Sequence, residues 1–305
     1  MIRLPEIGVG CAALSIVSPE TGDEAAVELL VRAYDHGIRY FDVAPLYGGG
    51  RGEVLLGRAL GRMGGPVAVS TKVGYAGAIP YGGRQAPEDR RKDFSPDAIE
   101  RGVIESLRRL GRDVLDILYL HDPPADLHDI EGGALPRIER LREQGLIRAI
   151  GVGTSNAATA QAVLERLPLE VLLLAGRFTL IDRTGAGVVA RCHAMGVSLV
   201  VGGVFNSGLL AAARPAAGGS FDYGPAPEPM IARAVAAERI CKAAGIPLKA
   251  AALQFARRQP GVATTLLGPR TRGELDDLMA LLALPVPRSL WSELDRIGAG
   301  GDPPC

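Results

Sequence analysis

The chain has 305 residues, of which 47% are hydrophobic, and its 34 basic residues balance its 34 acidic ones. No apolar run approaches the roughly 20 residues of a membrane span. Basic residues are scattered along the chain rather than clustered into a nucleic-acid footprint. We therefore expect a cytoplasmic protein that contacts neither membrane nor nucleic acid, in an oligomeric state that the sequence leaves open.

Neither the termini nor the cysteines indicate export or metal binding. The first residues lack the basic, apolar and small-residue order of a secretory signal, and no lipidation motif closes the chain. The cysteines lie far apart and share no ligand spacing with the four histidines. We expect no metal site and four ordinary thiols, at Cys11, Cys192, Cys241 and Cys305.

Short β-rich apolar runs alternate with helical patterns along the whole chain. The predicted strands are residues 6–10, 39–42, 67–72, 117–121, 147–152, 171–175, 198–202 and 264–268. The predicted helices are residues 23–35, 52–60, 95–110, 133–144, 156–167, 184–195, 229–244 and 272–284, followed by an extra helix within 285–297 that Trp291 anchors. This alternation is typical of repeated βα units around a parallel sheet.

Helix-end signals support these boundaries. Ser95 before Pro96 combines a capping hydroxyl with a proline suited to the first helical position. Glycines follow four of the predicted helices, at Gly37, Gly111, Gly145 and Gly196. Eight βα units are compatible with a doubly wound open sheet or a closed barrel, and the absence of Gly-x-Gly-x-x-Gly after the first strand favours closure. We predict an α/β protein with a single (β/α)8 TIM-barrel domain over residues 1–305.

Two long loops interrupt the alternation, residues 74–93 after the third predicted strand and residues 205–229 after the seventh. Loops of this length inside a compact domain are usually functional. Both follow strands, and strand-to-helix loops build the active-site face of a barrel. The first loop should therefore form one wall of a substrate pocket.

Polar side chains stand at the ends of three consecutive predicted strands. Asp42 closes the second strand and Tyr47 follows it, while Lys72 closes the third strand and His121 the fourth. Adjacent strand ends of a barrel converge on one pocket, and a partly buried Lys72 ammonium needs a carboxylate such as Asp42. Each residue alone has an ordinary explanation as a cap, turn or structural residue. Their joint placement favours a catalytic group.

A tyrosine beside an ammonium can act as an acid-base group, because the positive charge favours the phenolate and lowers the tyrosine pKa. On this basis Tyr47 would exchange a proton with a substrate oxygen, and His121 would hydrogen-bond the same oxygen. Asp42 would hold Lys72 in place. The sequence thus predicts proton transfer at the mouth of the barrel.

These residues stand in runs that resemble the aldo-keto reductase superfamily in order and spacing over nearly the whole chain. The runs are Phe41-Asp42-Val43-Ala44-Pro45-Leu46-Tyr47-Gly48 with Glu53 and Leu56-Gly57, then Ser70-Thr71-Lys72-Val73-Gly74, then Leu118-Tyr119-Leu120-His121-Asp122-Pro123. The resemblance implies a barrel, hydride transfer with NADP or NAD and without metal, and a small-molecule carbonyl or alcohol substrate. It also implies an acid-base tetrad of Asp42, Tyr47, Lys72 and His121.

The resemblance further implies a cofactor cradle on three loops. Ser155 and Asn156 would hold the nicotinamide carboxamide, although either side chain also suits the cap of the next helix. The pyrophosphate would be wrapped by Phe205, Asn206, Ser207, Gly208 and Leu209. The adenosine phosphate would lie against Gly268, Arg270, Thr271 and Glu274. Leu278 stands where the family often has asparagine, so the choice between NAD and NADP stays open.

Three further runs are similar to the aldose 1-dehydrogenase branch of the superfamily, which a pyridoxal 4-dehydrogenase also resembles: Ile150-Gly151-Val152-Gly153, Ala175-Gly176-Arg177-Phe178-Thr179-Leu180 and Phe205-Asn206-Ser207-Gly208. The implied reaction oxidises an aldose hemiacetal to a lactone, with carbonyl reduction as its reverse. A pyridoxal or general carbonyl dehydrogenase is the near alternative. Two residues of these runs have ordinary alternatives that are equally compatible with the sequence: Arg177 in a salt bridge of the barrel, and Phe178 in the hydrophobic core.

Two alternatives belong to other classes of protein. Lys72 at a strand end is also placed as the Schiff-base lysine of a lyase would be, although a lysine held by Asp42 stays protonated and is a poor nucleophile. The second alternative is a barrel that senses a nucleotide without turnover, and the intact tetrad speaks against it.

Overall fold

The computed structural model describes residues 3–16, 22–75, 91–212, 214–216 and 218–298. Its strands are β1 (Ile7–Gly10), β2 (Tyr40–Asp42), β3 (Ala68–Val73), β4 (Leu115–His121), β5 (Ile147–Thr154), β6 (Val171–Ala175), β7 (Ser198–Gly202), β8 (Ser220–Phe221), β9 (Gly224–Pro225) and β10 (Val262–Leu267). All except β8 and β9 close into a parallel barrel in the order β1-β10-β7-β6-β5-β4-β3-β2. The predicted single-domain (β/α)8 fold is confirmed.

Helices surround this barrel. They are α1 (Ala12–Ile16), α2 (Gly22–Asp35), α3 (Arg51–Leu60), α4 (Pro96–Leu110), α5 (Leu135–Glu143), α6 (Ala157–Arg166), α7 (Ala186–Met195), α8 (Glu228–Ala243), α9 (Leu248–Phe255), α10 (Arg272–Ala283) and α11 (Arg288–Gly298). Among the described residues, none of these helices has the length and apolar character needed to cross a membrane. In α11, Trp291 is buried against the core as predicted, and the Arg258 guanidinium lies 4.1 Å from the centre of its ring.

Local capping explains why the predicted boundaries agree with the structure. Every barrel strand begins and ends within two residues of its predicted limits. The Ser95 hydroxyl caps α4 by accepting a hydrogen bond from the Ala98 amide at 3.4 Å, with Pro96 as the first helical residue. Gly111 and Gly196 end their helices with φ of 63° and 72°, a conformation that costs glycine little.

Three elements are absent from the predicted set: α1, α9 and the β8–β9 hairpin. Helix α9 is short and mostly buried, since only Lys249 and Gln254 are partly exposed, and periodicity alone does not identify such a helix. Strands β8 and β9 are two residues long, too short to show alternation. The hairpin lies within the predicted 205–229 loop.

Aromatic rings fill the interior of the barrel opposite glycines. Tyr40 and Tyr119 are fully buried there among aliphatic side chains. A Cβ added at Gly151 would lie 2.7 Å from the Tyr119 ring and 2.6 Å from the Val171 carbonyl oxygen. Glycine at position 151 therefore makes room for the Tyr119 ring.

We expect Gly151→Ala to lower the free energy of unfolding by about 1–3 kcal/mol, because overpacking a rigid core forces its neighbours to move. Urea denaturation measures this. Gly153→Ala is the matched control on the same strand, since its Cβ would meet nothing closer than 3.6 Å. Equal stability of the two variants would contradict the packing argument.

Candidate active site

The four residues of the predicted tetrad meet at the C-terminal end of the barrel. Asp42 and His121 are the last residues of β2 and β4, Lys72 lies in β3, and Tyr47 lies in the turn before α3. The Lys72 ammonium donates hydrogen bonds to Asp42 Oδ2 at 2.7 Å and to the Val43 carbonyl at 3.0 Å. It also lies 4.9 Å from the centre of the Tyr47 ring. The structure thus places ammonium, carboxylate and phenol in one cluster.

His121 completes the cluster from the neighbouring strand. It is 9% exposed, and its ring meets the Tyr47 ring edge to face, with 6.1 Å between the ring centres. Tyr47 itself is partly exposed, whereas Asp42 and Lys72 are buried beneath it. A small molecule entering the barrel mouth therefore meets the phenol and the imidazole, with the ion pair behind them.

Tyr75 is a pocket residue that the sequence reasoning missed. Its ring lies edge to face against His121, with 5.1 Å between the ring centres, and its hydroxyl donates to Asp122 Oδ2 at 3.1 Å. Lys92 donates to the Asp122 carbonyl at 2.6 Å and pairs with Tyr75 through a backbone bridge. These contacts hold both ends of the predicted 74–93 loop beside the site. Residues 76–90 of that loop lie outside the described residues.

A chain of buried hydroxyls lies beneath the tetrad and was also missed. Ser70 donates to Asp42 Oδ1 at 2.7 Å. The Tyr40 hydroxyl lies 2.9 Å from Ser70 Oγ and 3.1 Å from the Tyr119 hydroxyl. All three side chains point into the barrel, Tyr40 from β2, Ser70 from β3 and Tyr119 from β4. Because Lys72 donates to Asp42 Oδ2, both Asp42 oxygens have hydrogen-bond partners.

The protonation of Tyr47 differs from the sequence-based prediction. Burial raises the pKa of Tyr47 to about 12; the charge and hydrogen bond of Lys72 act to lower it, and the charges of Asp42 and Tyr223 act to raise it. The prediction that Lys72 brings this pKa below its usual value is wrong, because desolvation of the phenolate outweighs the ammonium. At neutral pH Tyr47 is a neutral hydroxyl and a proton donor.

Lys72 is unsuited to act as a nucleophile. Burial acts to lower its pKa, but the charge and hydrogen bond of Asp42, together with Tyr47 and Tyr40, outweigh burial, and the Lys72 pKa lies well above its usual value. A Schiff base needs the neutral amine. The geometry therefore opposes the lyase alternative.

The predicted carboxamide loop is tied to the loops beside it. Asn156 caps α6 by accepting from the Thr159 amide at 3.0 Å, while Ser155 is exposed. Arg177 donates to the Ser155 carbonyl at 2.7 Å and to Asp182 at 3.0 Å, and it also pairs with Asp222 on the β8–β9 turn. Arg177 thus belongs to an ion-pair network that joins three loops of this face.

Phe178 belongs to the core. It is buried, and its ring centre lies 5.3 Å from that of Phe255. Of the two readings left open for this residue, the structure supports packing.

The predicted pyrophosphate loop follows β7 and contacts the hairpin. Asn206 is buried with φ 46°, donates to the Gly176 carbonyl at 3.2 Å, and its Oδ1 has no hydrogen-bond partner among the described residues. Ser207 Oγ accepts from the Tyr223 amide at 3.0 Å. Tyr223 is 95% exposed at the turn, within electrostatic reach of Tyr47. In the same loop, Gly208 has φ 99°, Leu209 is buried and Phe205 packs against the core.

The predicted adenosine-phosphate site lies at the start of α10, directly after Gly268. Thr271 caps this helix by accepting from the Glu274 amide at 3.1 Å, and Glu274 pairs with Arg270 at 2.6 Å. A cavity of about 140 Å³ lies beside the helix N-terminus, lined in part by Arg51, Arg270 and Arg272. The positive end of a helix together with arginines suits an anionic group.

The residues present fit a dinucleotide on three counts. Ser155 is exposed at the end of β5, and the buried Asn206 oxygen lacks a donor among the described residues, a state that costs about 1–3 kcal/mol unless a bound group relieves it. Arg270 stands at the helix start. Within the described residues, no three His, Cys, Asp or Glu side chains cluster as metal ligands would.

Of the described cysteines, Cys11 follows β1 and its amide donates to the Asp42 carbonyl at 2.8 Å, whereas Cys192 lies in α7 and Cys241 in α8. Cys11, Cys192 and Cys241 are buried free thiols. Burial raises the pKa of Cys192 to about 12 and that of Cys241 to about 11, so these two stay protonated and unreactive. Cys305 lies outside the described residues.

Comparison with known proteins places this geometry in a family. The aldo/keto reductase family profile matches residues 6–299. The chain is 33% identical over 310 residues to a D-threo-aldose 1-dehydrogenase from a Pseudomonas species, covering 96% of this chain and 94% of that protein. It is 34% identical over 327 residues to a pyridoxal 4-dehydrogenase from Microbacterium luteolum, covering 97% and 95% respectively.

Solved structures show the same fold. An aldo-keto reductase from Bacillus halodurans superposes with a TM-score of 0.79 at 24% identity, covering 98% of this chain and 94% of the other. A glycerol dehydrogenase from Gluconobacter oxydans gives 0.76 at 23% identity with the same coverage. The resemblance stated from the sequence is confirmed: this chain belongs to the aldo/keto reductase family and is an NAD(P)-dependent oxidoreductase.

Proposed function

We propose that this enzyme interconverts an aldose hemiacetal and its lactone, with Tyr47 as the group that takes up or releases the substrate proton. The observation that carries the proposal is the Tyr47 phenol within 4.9 Å of an ammonium that is itself locked to a buried carboxylate. The similarity to the D-threo-aldose 1-dehydrogenase supports the substrate class. Pyridoxal is the second candidate, supported by the relative of similar identity.

In this mechanism Tyr47, His121 and Lys72 act on the reacting oxygen and its proton, and Asp42 holds Lys72 in place. The Tyr47 hydroxyl and the His121 ring bind the reacting oxygen, which fixes the reacting carbon in place. In reduction Tyr47 donates its proton to that oxygen, and Lys72 stabilises the phenolate that remains. Oxidation runs the same transfer in reverse. Bound nicotinamide supplies or accepts the hydride, and Ser155, Asn156, the Phe205–Leu209 loop and Arg270 would hold the dinucleotide.

The test is the appearance of reduced nicotinamide absorbance with NAD+ or NADP+ against aldoses, pyridoxal and simple alcohols. We expect turnover of an aldose and lactone as the product. Turnover of pyridoxal alone would favour the second candidate. Dinucleotide binding without turnover of any substrate would favour a nucleotide sensor, and borohydride trapping of substrate on Lys72 would favour a lyase.

The cofactor choice rests on Arg270. We propose that its guanidinium binds the additional phosphate of NADP, because it stands at the N-terminus of α10 beside Arg272. Arg270→Ala should weaken NADP+ binding by about tenfold and leave NAD+ binding within about twofold, measured by fluorescence titration. Arg166→Ala is the control, an equally paired surface arginine on α6. Equal losses for the two dinucleotides would assign Arg270 elsewhere.

A further inference from the structure

The buried hydroxyls beneath the tetrad form one continuous hydrogen-bonded chain. Tyr119, Tyr40 and Ser70 are each fully buried, and successive oxygens lie 3.1 Å, 2.9 Å and 2.7 Å apart, the last distance reaching Asp42. The opposite oxygen of Asp42 accepts from Lys72. The hydroxyl chain therefore ends on the Asp42 carboxylate, which positions the Lys72 ammonium.

The negative charge of Asp42 fixes the direction of every hydrogen bond in this hydroxyl chain. The carboxylate of Asp42 only accepts, so Ser70 must give it its single proton. Ser70 then has only lone pairs for Tyr40, which must donate to it. Tyr40 has in turn used its proton, so it accepts from Tyr119. Burial raises the pKa of both tyrosines, which keeps both hydroxyls protonated.

We infer that Tyr119, Tyr40 and Ser70 are positioning residues. Their hydroxyls form a one-way chain of donors that disperses the negative charge of Asp42 and so controls how strongly Asp42 and Lys72 affect the acid-base behaviour of Tyr47. This inference rests on the proposed role of Tyr47. Aligned hydroxyls polarise one another, so each donor strengthens the next hydrogen bond towards the carboxylate. Aliphatic side chains would fill the same volume without this effect.

The expected consequence is a shift in the acid-base behaviour of Tyr47. The groups that act on it are Lys72 from β3, Asp42 from β2, His121 from β4 and Tyr223 from the hairpin. Loss of a donor concentrates charge on Asp42, and that charge raises the Tyr47 pKa. The phenolate, which oxidation requires, then forms only at higher pH.

The test compares Ser70→Ala, Tyr40→Phe and Tyr119→Phe. We expect the pH for half-maximal oxidation to move upwards, most for Ser70→Ala and least for Tyr119→Phe, with kcat reduced about three- to thirtyfold and dinucleotide binding unchanged. Ser70→Thr restores a hydroxyl and should restore the profile. Thr265→Val is the control, because the Thr265 hydroxyl is buried in β10 and makes no hydrogen bond within the described residues.

A second readout does not depend on turnover. The phenolate absorbance that disappears in Tyr47→Phe reports Tyr47 alone, and at a fixed alkaline pH its fraction should fall by about two- to tenfold in folded Ser70→Ala. Lower activity without any shift in either pH response would overturn the inference and leave these residues with a packing role. If the wild-type enzyme turns over no substrate while Ser70→Ala still shows the lower phenolate fraction, the inference stands and only the proposed function is contradicted.

Discussion

We expect Tyr47→Phe to lower kcat by at least about a hundredfold in both directions while changing the dissociation constant of the dinucleotide by less than about threefold. General acid-base groups contribute about 10²–10⁴-fold, and this substitution removes only the hydroxyl. The ring remains against His121 and Lys72, so the pocket keeps its shape. Initial rates with saturating dinucleotide, together with fluorescence titration, give the two quantities.

Tyr75→Phe is the matched control for this prediction. Tyr75 also packs edge to face on His121, but its hydroxyl donates to Asp122 and lies outside the Lys72 cluster. Its loss should cost less than about tenfold. Comparable losses for the two variants would mean that aromatic packing on His121, and not proton transfer at Tyr47, carries the rate.

The raised pKa of Tyr47 sets the direction of the pH dependence. In the proposed mechanism, reduction uses the neutral Tyr47 hydroxyl, which is present throughout the neutral range and is lost only as pH rises towards about 12. Oxidation uses the phenolate, so its rate should increase with pH over the same range. A positive charge on the nicotinamide would bring the Tyr47 pKa down, which extends oxidation towards neutral pH.

The sequence allowed the clustering of the four tetrad residues to be predicted because strand ends of a barrel converge, and these residues stand at or shortly after such ends. It also indicated the barrel, since eight strand patterns alternate with helical patterns and glycines or capping residues mark several helix boundaries. The hydroxyl chain was not predictable in this way. Tyr40 and Tyr119 are ordinary strand residues in sequence, and only the register of β2, β3 and β4 brings the Tyr40 hydroxyl onto Ser70 and the Tyr119 hydroxyl onto Tyr40.

Two further features escaped prediction for physical reasons. The β8–β9 hairpin is anchored by Arg177 and Ser207, partners distant in sequence, so no local pattern marks it. The pKa of Tyr47 depends on a balance between desolvation and two opposite charges, and sequence alone supplies the charges without the depth of burial.

Variants of the buried ion pair between Lys72 and Asp42 distinguish its contribution to stability from its contribution to activity. Lys72 and Asp42 are 2% and 4% exposed, so Asp42→Asn leaves an uncompensated charge and should lower the free energy of unfolding by about 3–5 kcal/mol. Because the Lys72 pKa is raised, the stability that its charge contributes is complete below the usual lysine value of about 10.4 and is lost only above it. Urea denaturation at neutral pH therefore measures the whole effect.

A double variant tests whether the pair is needed for folding or for chemistry. Asp42→Leu with Lys72→Met replaces both charges by apolar groups, which is often close to neutral for stability. We expect it to recover most of the stability lost in Asp42→Asn, short of the wild type because Ser70 loses its acceptor, and to remain inactive by at least about a hundredfold. Recovery of activity together with stability would show that Tyr47 works without the ammonium. Recovery of neither would assign the pair to the architecture of the barrel mouth, since two apolar side chains would then be unable to hold the ends of β2 and β3 in their register.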